Sequence, residues 1–168
     1  MLRWRTEVDV RSGRAADAEA LTDIFAETWR GAYRGLIPGQ QLENIIRRRG
    51  KAWWSSVLRT GDSLLVIELD GEVAGYATYG LARWRSAYQG EIYELYIAPA
   101  YQGLGLGEHL FEACRARLDR RALDGLVVWT LSGNTIAQDF YWRRGGRPFA
   151  TMQELFGGAN LEKIAYGW

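Results

Sequence analysis

The chain has one cysteine, one histidine and three prolines, and it has no long hydrophobic run. The single cysteine, Cys114, excludes an internal disulfide and a metal site built from several thiolates, which is typical of a reducing compartment. No segment approaches the roughly 20 apolar residues that a membrane helix needs. The opening MLRWRTEVDV also lacks the apolar core of a signal peptide. We therefore expect a cytoplasmic protein with no membrane partner.

Neither sign of charge dominates the chain. Lys and Arg number 21 against 20 Asp and Glu, so the formal net charge is +1 at pH 7. This balance lacks the electrostatic footprint of a nucleic-acid-binding protein, and we expect no nucleic-acid partner. One basic run, Arg47-Arg48-Arg49-Gly50-Lys51, is short and flanked by periodic apolar residues. We interpret it as the solvated face of a helix.

What the chain does have is length and aromatic content. Its 168 residues are 48% hydrophobic, which suits one domain with a full core, and we expect a single domain over 1–168. Eight Trp, nine Tyr and five Phe are more aromatic side chains than a small core absorbs easily. Some of them should therefore line a pocket.

Apolar periodicity predicts the element order β-α-α-β-β-β-α-β-α-β-β. The second helix is predicted as one continuous element with Leu42 and Val57 on its apolar face, and Asp70-Gly71 is typical of a type I′ hairpin turn. Strands at about 91–98 and 126–131 are joined by a helix, so they should run parallel. We therefore expect an α/β (α+β) fold with a mixed, mostly antiparallel sheet of about seven strands and about four flanking helices.

A glycine-rich loop joins the strand that ends near Ile97 to the next amphipathic helix. Its sequence is Gln102-Gly103-Leu104-Gly105-Leu106-Gly107. Glycines allow positive φ and leave no Cβ in the way of a ligand. The first turn of a helix adds unpaired N–H groups and the positive end of a dipole. The segment therefore predicts a cradle for a diphosphate group.

Two common diphosphate-binding loops do not fit. A Walker loop ends in Gly-Lys-Ser/Thr, whereas Glu108 and His109 follow the last glycine here. A dinucleotide-binding loop has the pattern G-x-G-x-x-G and an acidic residue at the end of the next strand. Here the spacing is G-x-G-x-G, and the next strand ends in Leu-Ser-Gly-Asn at 131–134.

Two separate blocks resemble the GNAT superfamily of acyl-CoA-dependent N-acyltransferases. The first is Gln-x-x-Gly-x-Gly, met by Gln102, Gly105 and Gly107. The second is the helix Asn134-x-x-Ala137-x-x-Phe140-Tyr141, which ends at Gly-Gly. The closing residues 161–168 and the order of elements over essentially the whole chain are similar to small bacterial members.

The resemblance implies acetyl-CoA as co-substrate and no metal. The diphosphate would lie on loop amides, the pantetheine arm would pair with the strand before the loop, and the Asn-to-Tyr helix would complete the site. The implied cofactor-binding residues are Leu95, Tyr96, Ile97, Gln102, Gly103, Leu104, Gly105, Leu106, Gly107, Glu108, Asn134, Ala137 and Tyr141.

The resemblance also implies direct attack of a neutral amine on the thioester carbonyl. Tyr141 matches the family tyrosine that donates a proton to the leaving thiolate. Glu91 lies eleven residues before Gln102, where some members carry their general base. Glu94 is the other candidate, as base or as substrate contact, and water is a third. In a regular strand Glu91 and Glu94 would point to opposite faces, although a bulge would alter this.

The acceptor pocket should come from the first two helices and the aromatic stretch after the hairpin. Its candidate residues are Trp29, Tyr33, Tyr79, Trp84, Tyr88 and Glu94. They would bind an amine of a small molecule or peptide by stacking and cation–π contacts, or alternatively belong to the core or to a homodimer surface. Cys114 falls on an apolar helix stripe and Ser132 has no histidine at a motif distance, so an acyl-enzyme route is disfavoured.

These patterns predict an N-acetyltransferase that moves the acetyl group of acetyl-CoA to a primary amine. An alternative is a CoA-binding sensor or pseudoenzyme that keeps the cradle without turnover. The presence of both Tyr141 and Glu91 favours the enzyme. A protein-interaction module is weakened by the intact glycine loop.

Overall fold

A computed structural model describes residues 5–61 and 63–168. Its helices and strands follow the predicted order, apart from one additional helix. The strands are β1 (Val8–Ser12), β2 (Leu64–Leu69), β3 (Glu72–Leu81), β4 (Gly90–Ile97), β5 (Leu126–Leu131), β6 (Arg147–Phe156) and β7 (Ala159–Gly167). The helices are α1 (Ala18–Tyr33), α2 (Gly39–Arg48), α3 (Lys51–Arg59), α4 (Leu106–Arg120) and α5 (Thr135–Arg143). Short 3-10 turns at Ala15–Asp17 and Pro99–Tyr101 come before α1 and the glycine loop.

All seven strands form one sheet in the order β1-β2-β3-β4-β5-β7-β6. Neighbouring strands are antiparallel except β4 and β5, which run parallel because α4 carries the chain between them. The predicted mixed, mostly antiparallel sheet is confirmed. Asp70 and Gly71 both have positive φ, 51° and 84°, as the predicted type I′ turn between β2 and β3 requires.

The helices cover both faces of the sheet and produce two apolar cores. One core joins α1, α2 and α3 to the sheet through fully buried side chains that include Leu21, Trp54 and Tyr76. The other joins α4 and α5 to the opposite face and includes Leu110 and Phe111. A strand side chain therefore faces either the layer of α1, α2 and α3 or the layer of α4 and α5.

The predicted second helix is wrong as a single element. The structure divides it into α2 and α3 at Arg49 and Gly50. Gly50 has extended backbone angles (φ −75°, ψ −177°), and its carbonyl accepts the Trp54 N–H and so starts the new helix. Glycine is a poor residue for a helix interior, which explains the break. The apolar spacing continues across the junction because both helices bury residues in the same core.

A charged cluster fixes the first strand and the turn before α1. The Arg11 guanidinium donates two hydrogen bonds to Asp17, at 2.8 and 2.9 Å, and also contacts Glu68 of β2. The Asp17 carboxylate also accepts the Arg14 N–H at 2.8 Å. Burial alone would raise the pKa of Asp17, but these hydrogen bonds outweigh it and hold the pKa below its usual value.

Candidate active site

The parallel strands β4 and β5 pair for only part of their length. In the described chain their register joins Gly90–Leu126, Glu91–Val127 and Ile92–Val128. Beyond this point β5 continues along β7, while β4 continues only along β3. The sheet therefore opens between the second half of β4 and β5. The second half of β4 pairs with β3 but not with β5, and it is called the unpaired half below. It contains the three residues predicted to pair with pantetheine: Leu95, Tyr96 and Ile97.

The glycine loop follows directly from that half of β4. Gly103 and Gly105 both have φ of +79°, and Gly105 is the N-cap of α4. A Cβ built on either glycine meets nothing within 4 Å, so the surface above them is open. Gln102 donates from Nε2 to the Ile97 carbonyl at 2.9 Å and so ties the loop to β4. The first N–H groups of α4, on Leu106, Gly107 and Glu108, have no acceptor within the helix and suit an anionic ligand.

Gly107 has a different role from the other two glycines. It lies inside the first turn of α4, and a Cβ there would come within 3.1 Å of the Phe140 ring and 3.8 Å of Ile97. Its missing side chain therefore allows α4 to pack closely against α5 and does not widen the open loop surface. The N–H of Gly107 still belongs to the helix N-terminus.

The Asn-to-Tyr block forms α5 on the other side of the opening. Asn134 caps the helix, and its Oδ1 accepts the Ala137 N–H at 3.1 Å. Tyr141 is buried with its ring packed among four aromatic side chains: Phe111, Phe140, Tyr166 and Trp168. Burial, and next the nearby Tyr33, raise the pKa of Tyr141 well above its usual value. Its hydroxyl therefore stays protonated at neutral pH and can act as a proton donor.

Glu91 is fully buried and is bound closely by one residue. Its carboxylate accepts the Arg83 backbone N–H at 2.9 Å, and the Arg83 guanidinium approaches its Oε1 at 2.7 Å. Arg83 also stacks over the Tyr93 ring at 4.6 Å, and the Tyr93 hydroxyl donates to the Leu81 carbonyl. These contacts hold the β3–β4 connection and engage both carboxylate oxygens of Glu91.

Glu94 lies in the unpaired half of β4, with 11% of its side chain exposed. Arg49 Nη1 donates to both of its carboxylate oxygens, at 2.6 and 3.0 Å. Burial raises the pKa of Glu94, and the positive charge of Arg49 opposes that rise only in part.

The Tyr76 hydroxyl is buried with no hydrogen-bond partner among the described residues. Burial, and next the charge of Glu94, raise its pKa.

The predicted acceptor residues do not all come together. Tyr33, at the end of α1, is buried, and its hydroxyl lies near Tyr96 of β4 and Asn134 after β5. Trp29 packs beside it, with ring centroids 4.6 Å apart. Tyr33, Trp29 and Glu94 thus share one side of the opening.

The remaining acceptor candidates lie elsewhere. Tyr79 is buried in the opposite core, under α4, so its prediction as an acceptor contact does not fit the structure. Trp84 is 55% exposed in the connection between β3 and β4, and Tyr88 packs on Phe149 of β6. Alternation along β3 places Tyr79 on the face opposite Tyr76, a distinction that the sequence pattern did not reveal.

Arg49 contacts Glu94 at the candidate site, and the sequence interpretation missed it. Arg47 and Arg48 are exposed as expected for a solvated helix face, but Arg49 turns inward to Glu94. The available signal was Gly50, because the helix break that it introduces redirects the preceding side chain.

The described residues include no group of three or more His, Cys, Asp or Glu suited to a metal ion, and no helix among them has the length and apolarity for a membrane span.

Comparison with known proteins agrees with this geometry. Residues 18–145 match the family described as "Acetyltransferase (GNAT) family". An uncharacterized N-acetyltransferase of Bacillus subtilis, YuaI, is 24% identical over 163 residues, covering 96% of this chain and 92% of that protein. The L-amino acid N-acyltransferase MnaT of Escherichia coli is 31% identical over 106 residues, covering 61% of this chain and 58% of MnaT. The crystal structure of the PaiA N-acetyltransferase of Thermoplasma acidophilum with coenzyme A has a TM-score of 0.77 and 18% identity, covering 94% of this chain and 98% of that chain.

The match and the fold define an acyl-transferring enzyme. The chain belongs to the GNAT acetyltransferase family, and its activity is acetyl-CoA-dependent N-acetyl transfer. The open glycine loop and the gap between β4 and β5 suit the diphosphate and the extended arm of this co-substrate.

Proposed function

We propose that this enzyme acetylates the amino group of a small molecule at the opening between β4 and β5, with Glu94 as the general base and Tyr141 as the general acid. The observation that carries the proposal is Glu94, a mostly buried carboxylate of raised pKa in the unpaired half of β4. A base with a pKa closer to neutrality is better matched to an ammonium ion that must lose its proton.

The reaction steps balance with these two groups. The ammonium gives one proton to Glu94, and the neutral nitrogen attacks the thioester carbonyl carbon. A backbone N–H of β4 beyond Ile92 supports the negative oxygen. The C–N bond forms, the C–S bond breaks, and the departing sulfur takes a proton from Tyr141. The nitrogen is positively charged after the attack and loses its second proton, which restores the Tyr141 hydroxyl directly or through water. The proton held by Glu94 passes to solvent as the products leave.

Glu91, the other predicted base, is less suited to this role. An arginine binds each of the two carboxylates, but Glu91 lies where β4 still pairs with β5 and its side chain is 1% exposed, whereas Glu94 lies beyond that pairing and its side chain is 11% exposed. We propose that Glu91 positions the β3–β4 connection, and we retain it as the comparison residue in the tests below.

The acceptor is proposed to be a small amine. Relatives are named for spermidine N(1)-acetylation and for L-amino acid N-acylation. The buried rings of Trp29 and Tyr33 pack against each other, and Tyr33 lies near Glu94, so they would form the apolar backing of a small acceptor site. We place the protein in the cytoplasm, where acetyl-CoA is available. A homodimer remains part of the proposal because Leu155 and Phe149 on edge strand β6 are exposed.

The test is an assay of the purified protein with acetyl-CoA and a panel of amines, amino acids and short peptides. CoA thiol release and the mass of the N-acetyl product are measured together. We expect amine-dependent thiol release and a matching product. Tight acetyl-CoA binding without turnover on any amine would instead identify a CoA-binding pseudoenzyme.

A further inference from the structure

The Arg49 guanidinium is held in place by aromatic rings. Its Cζ lies 4.2 Å from the Trp53 ring centroid, 4.6 Å from that of Phe25 and 5.6 Å from that of Trp54. Stacking fixes the plane of the group at the junction of α2 and α3 and reduces the entropy lost when it binds a ligand. The orientation of its N–H groups is therefore largely set before any substrate arrives.

Only part of this guanidinium is used within the chain. Nη1 donates to Glu94, whereas Nη2 and Nε have no hydrogen-bond acceptor among the described residues. The side chain is 26% exposed, so a ligand can reach part of it from solvent. Two adjacent N–H groups on one guanidinium edge form the fork that binds a carboxylate through two parallel hydrogen bonds.

The neighbouring positive charges act in the same direction. Arg47, Arg48 and Lys51 are exposed on either side of Arg49. Their summed field attracts an anionic group to this end of the site. A polycation such as a polyamine would be repelled here, although Glu94 alone would accept it.

We propose that Arg49 is a specificity residue that selects acceptors carrying a carboxylate next to the amine, that is, free α-amino acids. In such a molecule a single carbon separates the two groups, and here Glu94 and Arg49 are in direct contact at 2.6 Å. The ammonium faces Glu94 while the carboxylate binds the free edge of Arg49. This inference rests on the proposed function, since it places the acceptor amine at Glu94.

The exposed face of Trp53 points to the nature of the acceptor side chain. This ring is 38% exposed beside the guanidinium, and Trp54 behind it is fully buried. An apolar amino-acid side chain would cover the ring and exclude water from the ion pair. Leucine is therefore a suitable probe acceptor.

The test compares leucine with leucinamide, which keeps the amine and side chain but replaces the carboxylate by a neutral amide. kcat/KM is measured for both in the wild type, Arg49→Gln, Arg49→Lys and the exposed neighbour control Arg48→Gln. The leucine-to-leucinamide ratio cancels any general effect of Arg49 on Glu94 and the different basicity of the two amines. We expect this ratio to fall by about 10- to 100-fold in Arg49→Gln, the loss of a charge-assisted pair. It should fall less in Arg49→Lys, which keeps the charge without the fork. It should change only slightly in Arg48→Gln, which removes one exposed, screened charge of several.

A ratio that is the same in wild type and Arg49→Gln would overturn the inference and leave the proposed function standing. If no acceptor is turned over, the proposed function fails and the inference is judged by binding alone. Calorimetry then measures leucine binding to the protein with CoA present. Weaker binding to Arg49→Gln than to Arg48→Gln would support carboxylate recognition, and equal or undetectable binding to both would refute it. Circular dichroism and thermal unfolding show that each variant is folded.

Discussion

Glu91 and Glu94 lie on the same face of the sheet although they are three residues apart in the chain. Glu91 pairs with Gly80 and Glu94 with Thr78, and these partners are two apart on β3. Tyr93 has no partner in that register, so it is the extra residue of a β-bulge. The bulge turns both carboxylates towards the layer of α1, α2 and α3, and it occurs just where β4 and β5 separate. The bulge thus places Glu94, the proposed base, beside the edge of β4 that does not pair with β5.

Replacing Glu94 by Gln removes the proposed base while preserving its shape. We expect kcat/KM at neutral pH to fall roughly 100- to 10,000-fold, the usual contribution of a positioned base. The wild-type rate should decline as the pH falls through the raised pKa of Glu94, above the ordinary value of about 4.3, because the protonated carboxyl cannot accept a proton. The variant should lose that limb and recover at high pH, where the amine is already neutral.

Glu91→Gln is the matched comparison for this experiment, since it makes the same change three residues earlier on the same face. Its loss should appear mainly in thermal stability, because Arg83 loses a buried charged partner. A rate profile that changes in Glu91→Gln and stays parental in Glu94→Gln would reverse the assignment.

Tyr141→Phe tests the proton donor. The ring and its packing against Phe111 and Trp168 remain, and only the hydroxyl is lost. We expect kcat to fall about 10- to 1,000-fold, at the lower end of what a single proton donor contributes, with acetyl-CoA affinity nearly unchanged. Stopped-flow thiol release with a good acceptor measures the chemical step directly. An undiminished step would leave Tyr141 a purely structural aromatic residue.

Leu104→Asp tests the diphosphate cradle without altering a glycine. Leu104 is 59% exposed between Gly103 and Gly105, and it does not have a positive φ, so the substitution introduces no backbone strain. The added negative charge should weaken acetyl-CoA binding by at least about 10-fold, which corresponds to about 1.4 kcal/mol. Added salt should reduce the effect. Leu81→Asp, equally exposed but on β3, should leave the affinity unchanged. Equal affinities in calorimetry would exclude the loop from the site.

Asp17→Asn probes the cluster that fixes β1. Removing one partner of a mostly buried charge pair should lower the free energy of unfolding by about 3 kcal/mol at neutral pH. Because the folded-state pKa of Asp17 is lowered, its stabilisation is present above the unfolded value of about 3.9 and is lost as the pH falls through the folded value. The gap between wild type and variant in urea unfolding should therefore narrow on acidification. The exposed Glu19→Gln serves as control and should change stability little.

Much of this architecture could be predicted from local sequence patterns. Four features depend on short-range chemistry, and each lies where the sequence predicts it. They are the Asp70-Gly71 turn, the helix between β4 and β5, the glycine loop and the Asn-to-Tyr helix. The missed features depend on long-range contacts. The bulge at Tyr93 arises from the register with β3, and the inward turn of Arg49 requires Glu94, which lies 45 residues away in the chain.

The site residues illustrate the same limit. Tyr33 and Tyr79 are both buried tyrosines, yet only Tyr33 reaches the opening, because strand alternation and helix placement decide the face. Glycine spacing likewise suggested one role for Gly103, Gly105 and Gly107. The approach of Phe140 to within 3.1 Å of a Cβ on Gly107 separates that residue from the other two.

The central claim is direct transfer of the acetyl group from acetyl-CoA to an amine when both are bound at the opening between β4 and β5. It is tested most directly by initial velocities with acetyl-CoA and leucine varied together, and by intact-protein mass spectrometry after incubation with acetyl-CoA alone. The account predicts intersecting reciprocal plots, an N-acetylated product and no acetyl group on the protein. Parallel plots with an acetylated enzyme, or no transfer to any amine by a protein that binds acetyl-CoA, would contradict it.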